Sequence, residues 1–163
     1  LGCQNPVAGP FYNFTVPQPT GITAVLAPES PSLLGLVTLI AAPLCAGCTV
    51  VALASESLPL PAVLLSEICA TSDVPPGVVN LLTGQRNELL EPMGRHREIA
   101  AVLGANLTAG QRTTLQECAA DSLKRVHMVK HTEQQWEDDD LVASAWNIEP
   151  FVESKTIWHP SST

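Results

Sequence analysis

The chain has 163 residues, of which 45% are hydrophobic and only 15% charged, and its net charge is −8. That is enough apolar mass for one domain with a real core, and it excludes a disordered chain. The acidic balance also excludes a nucleic-acid backbone as partner, because phosphate binding needs clustered Lys and Arg.

Residues 1–20 are assigned to an N-terminal extension. The apolar run Ile22–Ala27 predicts a buried strand, and Ser32–Ala46 a helix closing at Gly47. Thr49–Leu53 predicts a second strand, and Pro61–Thr71 a helix entered through SLPLP. Pro75, Pro76 and Gly77 form a turn before a strand over Val78–Leu82, which Gly84 ends. Asn87–Arg95 then reads as a short helix, Ile99–Leu103 as a strand and Ala109–Ala119 as a helix. Strands alternating with helices through short connectors predict an α/β fold. Its core is a doubly wound parallel sheet over residues 21–120 with right-handed crossovers. The scarcity of aromatics and the wealth of Leu, Val and Ala agree with helices packed on such a sheet. From residue 121 the character changes. SLKRVHMVKH is expected as an edge strand and the acidic run Glu133–Asp140 as a solvated loop. Phe151–Trp158 alternates weakly and is expected as a half-exposed strand outside the sheet.

No charged residue lies between Glu29 and Glu56, a length that spans a bilayer. Pro43 and the AGCT break cut that stretch into a buried helix and a buried strand, so no membrane span is expected. The chain opens at Leu1 without a basic, apolar leader, which predicts no signal peptide, a processed piece or fragment, and a cytoplasmic setting. Five cysteines predict reduced thiols. Cys45 and Cys48 form a Cys-x-x-Cys pair at a helix C-terminus, the end that does not activate a thiol. His127 and His131 share a strand face, but buried thiols and surface histidines explain both pairs, and no metal site is expected. Asn13 and Asn106 stand in glycosylation patterns too short to carry weight. Ser30, His96 and Asp73 lack the nucleophile elbow that a hydrolase triad needs. Trp136, Trp146 and Trp158 cluster after the sheet, as packing of the tail or as a contact surface.

Three segments, GITAVLAP, LIAAPLCAGCTVVALASES and VPPGVVNLLTG, together resemble the Rossmann-like cofactor-binding domain of the aldehyde dehydrogenase superfamily. The resemblance covers about residues 21–115. Its departures are most similar to the degenerate second module of vertebrate two-module, family-16-type aldehyde dehydrogenases. The resemblance implies cofactor contacts at Pro28, Leu53, Glu56 and Gly84. The family's Trp-Asn pair falls on Glu29 and Ser30. That Asn supports the developing oxyanion, and Ser30 is too short to replace it, so no catalytic residue is expected. The family's ribose-binding Lys falls on Leu53, which is degenerate, while Glu56 matches the ribose-binding Glu. The family's Phe-Thr-Gly-Ser falls on Gly104–Leu107, where a helix start would still attract an anion. The Gly-Gln-x-Cys and Glu-Leu-Gly-Gly-Lys strings of the catalytic machinery do not occur in these residues. VESKTIWHP resembles the family's C-terminal strand. That implies a homo-oligomer or a partner chain joined through Phe151–Trp158 by strand addition. The expectation is therefore a non-catalytic, pseudo-enzyme module acting in assembly, with no cofactor and NAD as the one candidate. The alternative is the NAD(P)-binding portion of an aldehyde dehydrogenase, which oxidises aldehydes to carboxylic acids when completed by a catalytic domain.

Overall fold

The computed structural model describes residues 2–161. Its elements are β1 (Cys3–Asn5), β2 (Phe11–Pro19), β3 (Ile22–Leu26), α1 (Ser32–Ala46), β4 (Thr49–Leu53), α2 (Leu60–Thr71) and β5 (Val79–Leu82). They continue with α3 (Arg86–Arg95), β6 (Ile99–Ala105), α4 (Ala109–Ala120), β7 (Arg125–Val129), α5 (Glu133–Trp136) and α6 (Asp139–Val142). A 3-10 segment, Ala145–Phe151, leads into β8 (Val152–Pro160).

Five strands pair in parallel in the order β5-β4-β3-β6-β7. The chain leaves β3 toward β4 and β5, then returns through α3 to β6 on the other side of β3. That reversal places a topological switch point at the carboxyl ends of β3 and β6. The central strands are buried on both faces, as continuous apolar runs such as Ala24–Leu26 require. On one face α1 contributes Leu36, Leu39 and Ile40, and α2 contributes Ala62. On the other, α3 contributes Leu90 and Met93, and α4 contributes Leu115. Helix α1 stops where Gly47 turns left-handed (φ 92°) and its N–H reaches the Leu44 carbonyl at 3.0 Å.

The two ends depart from expectation. Within the N-terminal extension, β1 and β2 form strands that join β8 in a second, antiparallel sheet of order β1-β2-β8. Strand β2 pairs with β8 over nine residues, from Phe11 opposite Pro160 to Pro19 opposite Val152. Pro17 and Pro19 disguise β2 in the sequence. Both lie beyond the three described pairs with β1, toward the end of the strand where proline is tolerated. The acidic run is not a plain loop either. It folds into α5 and α6, and α5 opens on a capping box in which Gln135 N–H reaches Thr132 Oγ1 at 3.3 Å. Trp136, at the end of α5, is 1% exposed against the α1 face, with Phe151 in the same cluster. Trp146 and Trp158 stay exposed, whereas Trp136 packs into the core. Among the described residues no helix is long and apolar enough to cross a membrane.

Candidate functional site

At the carboxyl edge of the parallel sheet lies a polar cleft of ≈ 490 Å³, lined by Glu29, Glu56, Ser57, Arg86, Asn87, Asn106, Thr108 and Gln111. Each lining residue follows the end of a strand or opens a helix, because a parallel sheet gathers its strand-to-helix connections at one edge.

Glu29 is the hub. The turn that carries it leaves β3 through buried Ala27 and Pro28, and α1 comes so close that a Cβ on Gly35 would overlap the Pro28 ring. One Glu29 oxygen accepts from Ser57 N–H (3.0 Å), Ser57 Oγ–H (2.8 Å) and Ser55 Oγ–H (2.9 Å). The other accepts from the Arg86 guanidinium at 2.8 Å and from Glu56 N–H at 3.3 Å. Partial burial pushes this carboxyl up, but the hydrogen bonds from Ser57, Ser55 and Glu56 outweigh it and hold the carboxyl at about 2. Arg86 is buried, and the same nitrogen also donates to the Ala27 carbonyl. Glu29 and Arg86 thus stitch the turn after β3 to the β4–α2 loop and to α3. Sequence reasoning passed over Arg86, whose only signal was a cation next to the Gly84 turn.

Glu56 stands on the rim of the cleft, where its carboxylate accepts the Arg86 backbone N–H at 3.0 Å. That places a negative charge on the first turn of α3, the favourable end of the helix dipole. Leu53 does not face the cleft: it is fully buried in the cluster with Leu26, Leu90 and Met93. Gly84 is exposed in the turn between β5 and α3, and a Cβ there would meet the Leu89 side chain at 2.8 Å. Ser30 is exposed and turns to Glu133 at 3.4 Å, outside the cleft lining. Of the residues singled out from the sequence, the structure brings Glu56 to the cleft beside Glu29. It leaves Leu53, Gly84 and Ser30 apart from it.

The anion-attracting helix start is also rearranged. Gly104 is a buried residue of β6, and a Cβ on it would run into Leu107. Asn106 adopts φ 52° and spends its side chain on the loop after β7, accepting from His131 N–H at 2.9 Å and donating to the His131 carbonyl at 3.0 Å. Helix α4 opens only at Thr108. There a capping box ties Gln111 N–H to Thr108 Oγ1 (3.3 Å) and Thr108 N–H to Gln111 Oε1 (3.1 Å), so two of its orphan donors are already satisfied. With two carboxylates (Glu29, Glu56) against one guanidinium (Arg86), the lining carries a net negative charge. It suits a hydroxyl-bearing group such as a ribose and opposes a diphosphate.

The Cys and His pairs lie outside the cleft lining. Cys45 is exposed, whereas Cys48 is buried and contacts Thr20 Oγ1 at 3.4 Å. His131 lies edge-on to Trp136, with ring centres 4.8 Å apart, and burial lowers its pKa. No cluster of three metal-binding side chains occurs among the described residues. Asn13 is buried, and its side chain accepts from Asn5.

Comparison with known proteins decides the lineage of this cleft. Residues 4–130 match the model of the aldehyde dehydrogenase family. The chain belongs to the aldehyde dehydrogenase family. It is 34% identical over 121 residues to an aminoacetaldehyde dehydrogenase of Pseudomonas aeruginosa, covering 74% of this chain and 24% of that protein. Against aminoaldehyde dehydrogenase 2 of Zea mays it is 30% identical over 129 residues, covering 77% and 25%. The solved NAD+ complex of an aldehyde dehydrogenase from Bacillus cereus superposes with a TM-score of 0.74 at 24% identity, covering 80% of this chain and 26% of that one. The chain therefore spans about a quarter of the length of the curated aldehyde dehydrogenases it matches. The family match begins at residue 4 and so takes in β2 and most of β1.

Proposed function

We propose that this chain is the cofactor-domain portion of an aldehyde dehydrogenase-type protein, and that its cleft holds the ribose end of NAD weakly. Aldehyde oxidation then depends on a catalytic domain bearing the thiol and base strings that these residues lack. The supporting observation is Glu56, a carboxylate at the carboxyl end of β4 on the rim of a cleft that opens over the switch point. Sugar hydroxyls donate to such a carboxylate. The diphosphate end fits poorly, because the α4 start is self-capped and Glu29 offsets the Arg86 charge. The residues present therefore support binding of the nucleoside half and no chemical step.

The test is calorimetric titration of adenosine, ADP-ribose and NAD into the chain and into Glu56→Ala. NAD is expected to bind with a Kd of ~0.1–1 mM, about 4–5.5 kcal/mol. Adenosine should bind at least as tightly as ADP-ribose, and Glu56→Ala should weaken every ligand about tenfold, the worth of one charge-assisted hydrogen bond. Absence of heat at millimolar NAD would overturn this reading.

A second reading, a non-catalytic assembly module, is favoured by Leu53 in the core and by the open outer edge of β8. That edge is free for strand addition by a partner chain. Under it, Ile157→Lys on β8 would abolish partner capture while leaving the parallel sheet intact.

A further inference from the structure

After β7 the chain leaves the parallel sheet through His131 and lays α5 and α6 against the α1 face. The hold is narrow: Trp136 is the one buried residue of α5, and α6 buries none. Such thinly anchored segments open more readily than the core does. Beside Trp136 lies a cavity of ≈ 30 Å³, walled by Leu39 and Ala42 of α1, Leu103 of β6, Val129 of β7 and Val142 of α6. The polar side chains on it are Thr38, His127, His131 and Asn147, and of these only the two histidines titrate. No carboxylate lines it, so a proton on either ring would gain no counter-charge there. Outside the cavity, the charged neighbours of His131 along the chain are Lys130 and Glu133, and Glu133 accepts from the Ser30 hydroxyl at 3.4 Å. His131 also joins the Trp136 anchor to the cleft. Its ring stands edge-on to the Trp136 ring, with centres 4.8 Å apart and planes at 89°. Its backbone N–H and carbonyl are both held by the Asn106 side chain, and Asn106 lines the cleft.

We propose that His131 is a pH-operated latch on this segment. The neutral ring keeps Trp136 closed on α1, and a proton taken up by the ring releases Trp136 with α5 and α6 and loosens Asn106 at the cleft wall. Burial of the ring opposes that proton in the closed state and lowers its pKa. Opening returns the ring to water, where the proton is accepted at the ordinary value of about 6.5. The sign follows. Above about 6.5 the ring is neutral in both states and the latch stays closed. As pH falls below about 6.5 the open state gains, by at most about tenfold per pH unit, because one proton is taken up. The latch acts on the cleft wall itself and does not depend on what the cleft holds.

The test is amide hydrogen exchange of the full chain by NMR between about pH 7.5 and 5, with the His131 ring titrated in the same samples. The ring should titrate below about 6.5. The amides of Gln135, Trp136 and Val142, which bond within α5 and α6, should lose protection by up to about tenfold per pH unit below that point, while those of β3 and β6 stay level. The Asn106 side-chain amide signals should move with the same midpoint. His131→Phe keeps an aromatic ring beside Trp136 without a titrating nitrogen and should make the protection independent of pH; His131→Gln repeats the test with a smaller neutral side chain. His127→Gln should leave the slope in place. A ring value at or above about 6.5, as an imidazolium settled on the Trp136 ring would give, overturns the proposal. So do level protection in the wild type, Asn106 signals that stay fixed, a slope that survives both His131 variants and a slope lost only in His127→Gln. A loss shared equally by β3 and β6 is general acid unfolding and overturns it too.

Discussion

Glu29 shows how one substitution reorganises a site. At the position where the resemblance expects an aromatic residue, a carboxylate gathers two serine hydroxyls, two backbone amides and a buried arginine. Its low pKa has a definite sign. The folded value, about 2, lies below the ordinary 4.5, so its contribution to stability is complete above pH 4.5 and is lost as pH falls toward 2. His131 adds to acid sensitivity at higher pH. Burial lowers its pKa, so below about 6.5 the unfolded chain takes up a proton that the fold resists. Melting temperatures measured from pH 7 to 2 should therefore fall in two ranges, and Glu29→Gln should remove the lower one. Glu29→Gln also strips Arg86 of its carboxylate. Because the Glu29 side chain is 43% exposed, solvent tempers the loss to about 1–3 kcal/mol in denaturant melts. Gly35→Ala should cost ~1–3 kcal/mol by driving a methyl into Pro28. At this scale the sequence singled out Glu56, which lines the cleft, and Leu53, which is buried in the core. It did not carry Arg86 or the use of Asn106, since both depend on which loops the sheet brings side by side.

At the level of elements, the alternation of strand and helix was legible because each central strand is an unbroken apolar run and each helix has its own stop. Helix α1 and strand β4 occupy the predicted residues, the other core elements differ by a residue or two at their ends, and β7 starts three residues later than the expected edge strand. Strand β2 was hidden by its prolines, and α5 by its acidity. Yet Thr132 and Gln135 carry the spacing of a capping box that a closer reading of the acidic run would have used. What the spacing cannot reveal is that Trp136 sinks into the α1 face. Trp136→Ala should cost ~3–5 kcal/mol and loosen the segment between β7 and β8, which amide exchange would register. Trp136→Phe should cost far less, because the indole N–H it removes has no partner among the described residues.

The whole molecule is two sheets joined through the C-terminal segment. Arg125 of β7 donates to the Val152 carbonyl at 2.9 Å and pairs with Glu153 at 3.2 Å, tying the parallel sheet to β8. The family and its parallel sheet follow from local strings such as PPGVVN, whereas the second sheet joins residues about 140 apart and leaves no local trace. What the cleft binds is the claim on which the functional reading rests. The most direct measurement is the pattern of backbone amide shifts when NAD is titrated into isotope-labelled chain. Shifts confined to Glu56–Ser57, Asn87 and Thr108–Gln111, and absent in Glu56→Ala, are predicted. Shifts elsewhere on the surface, or none at millimolar NAD, would contradict a nucleoside-binding cleft at this edge of the sheet.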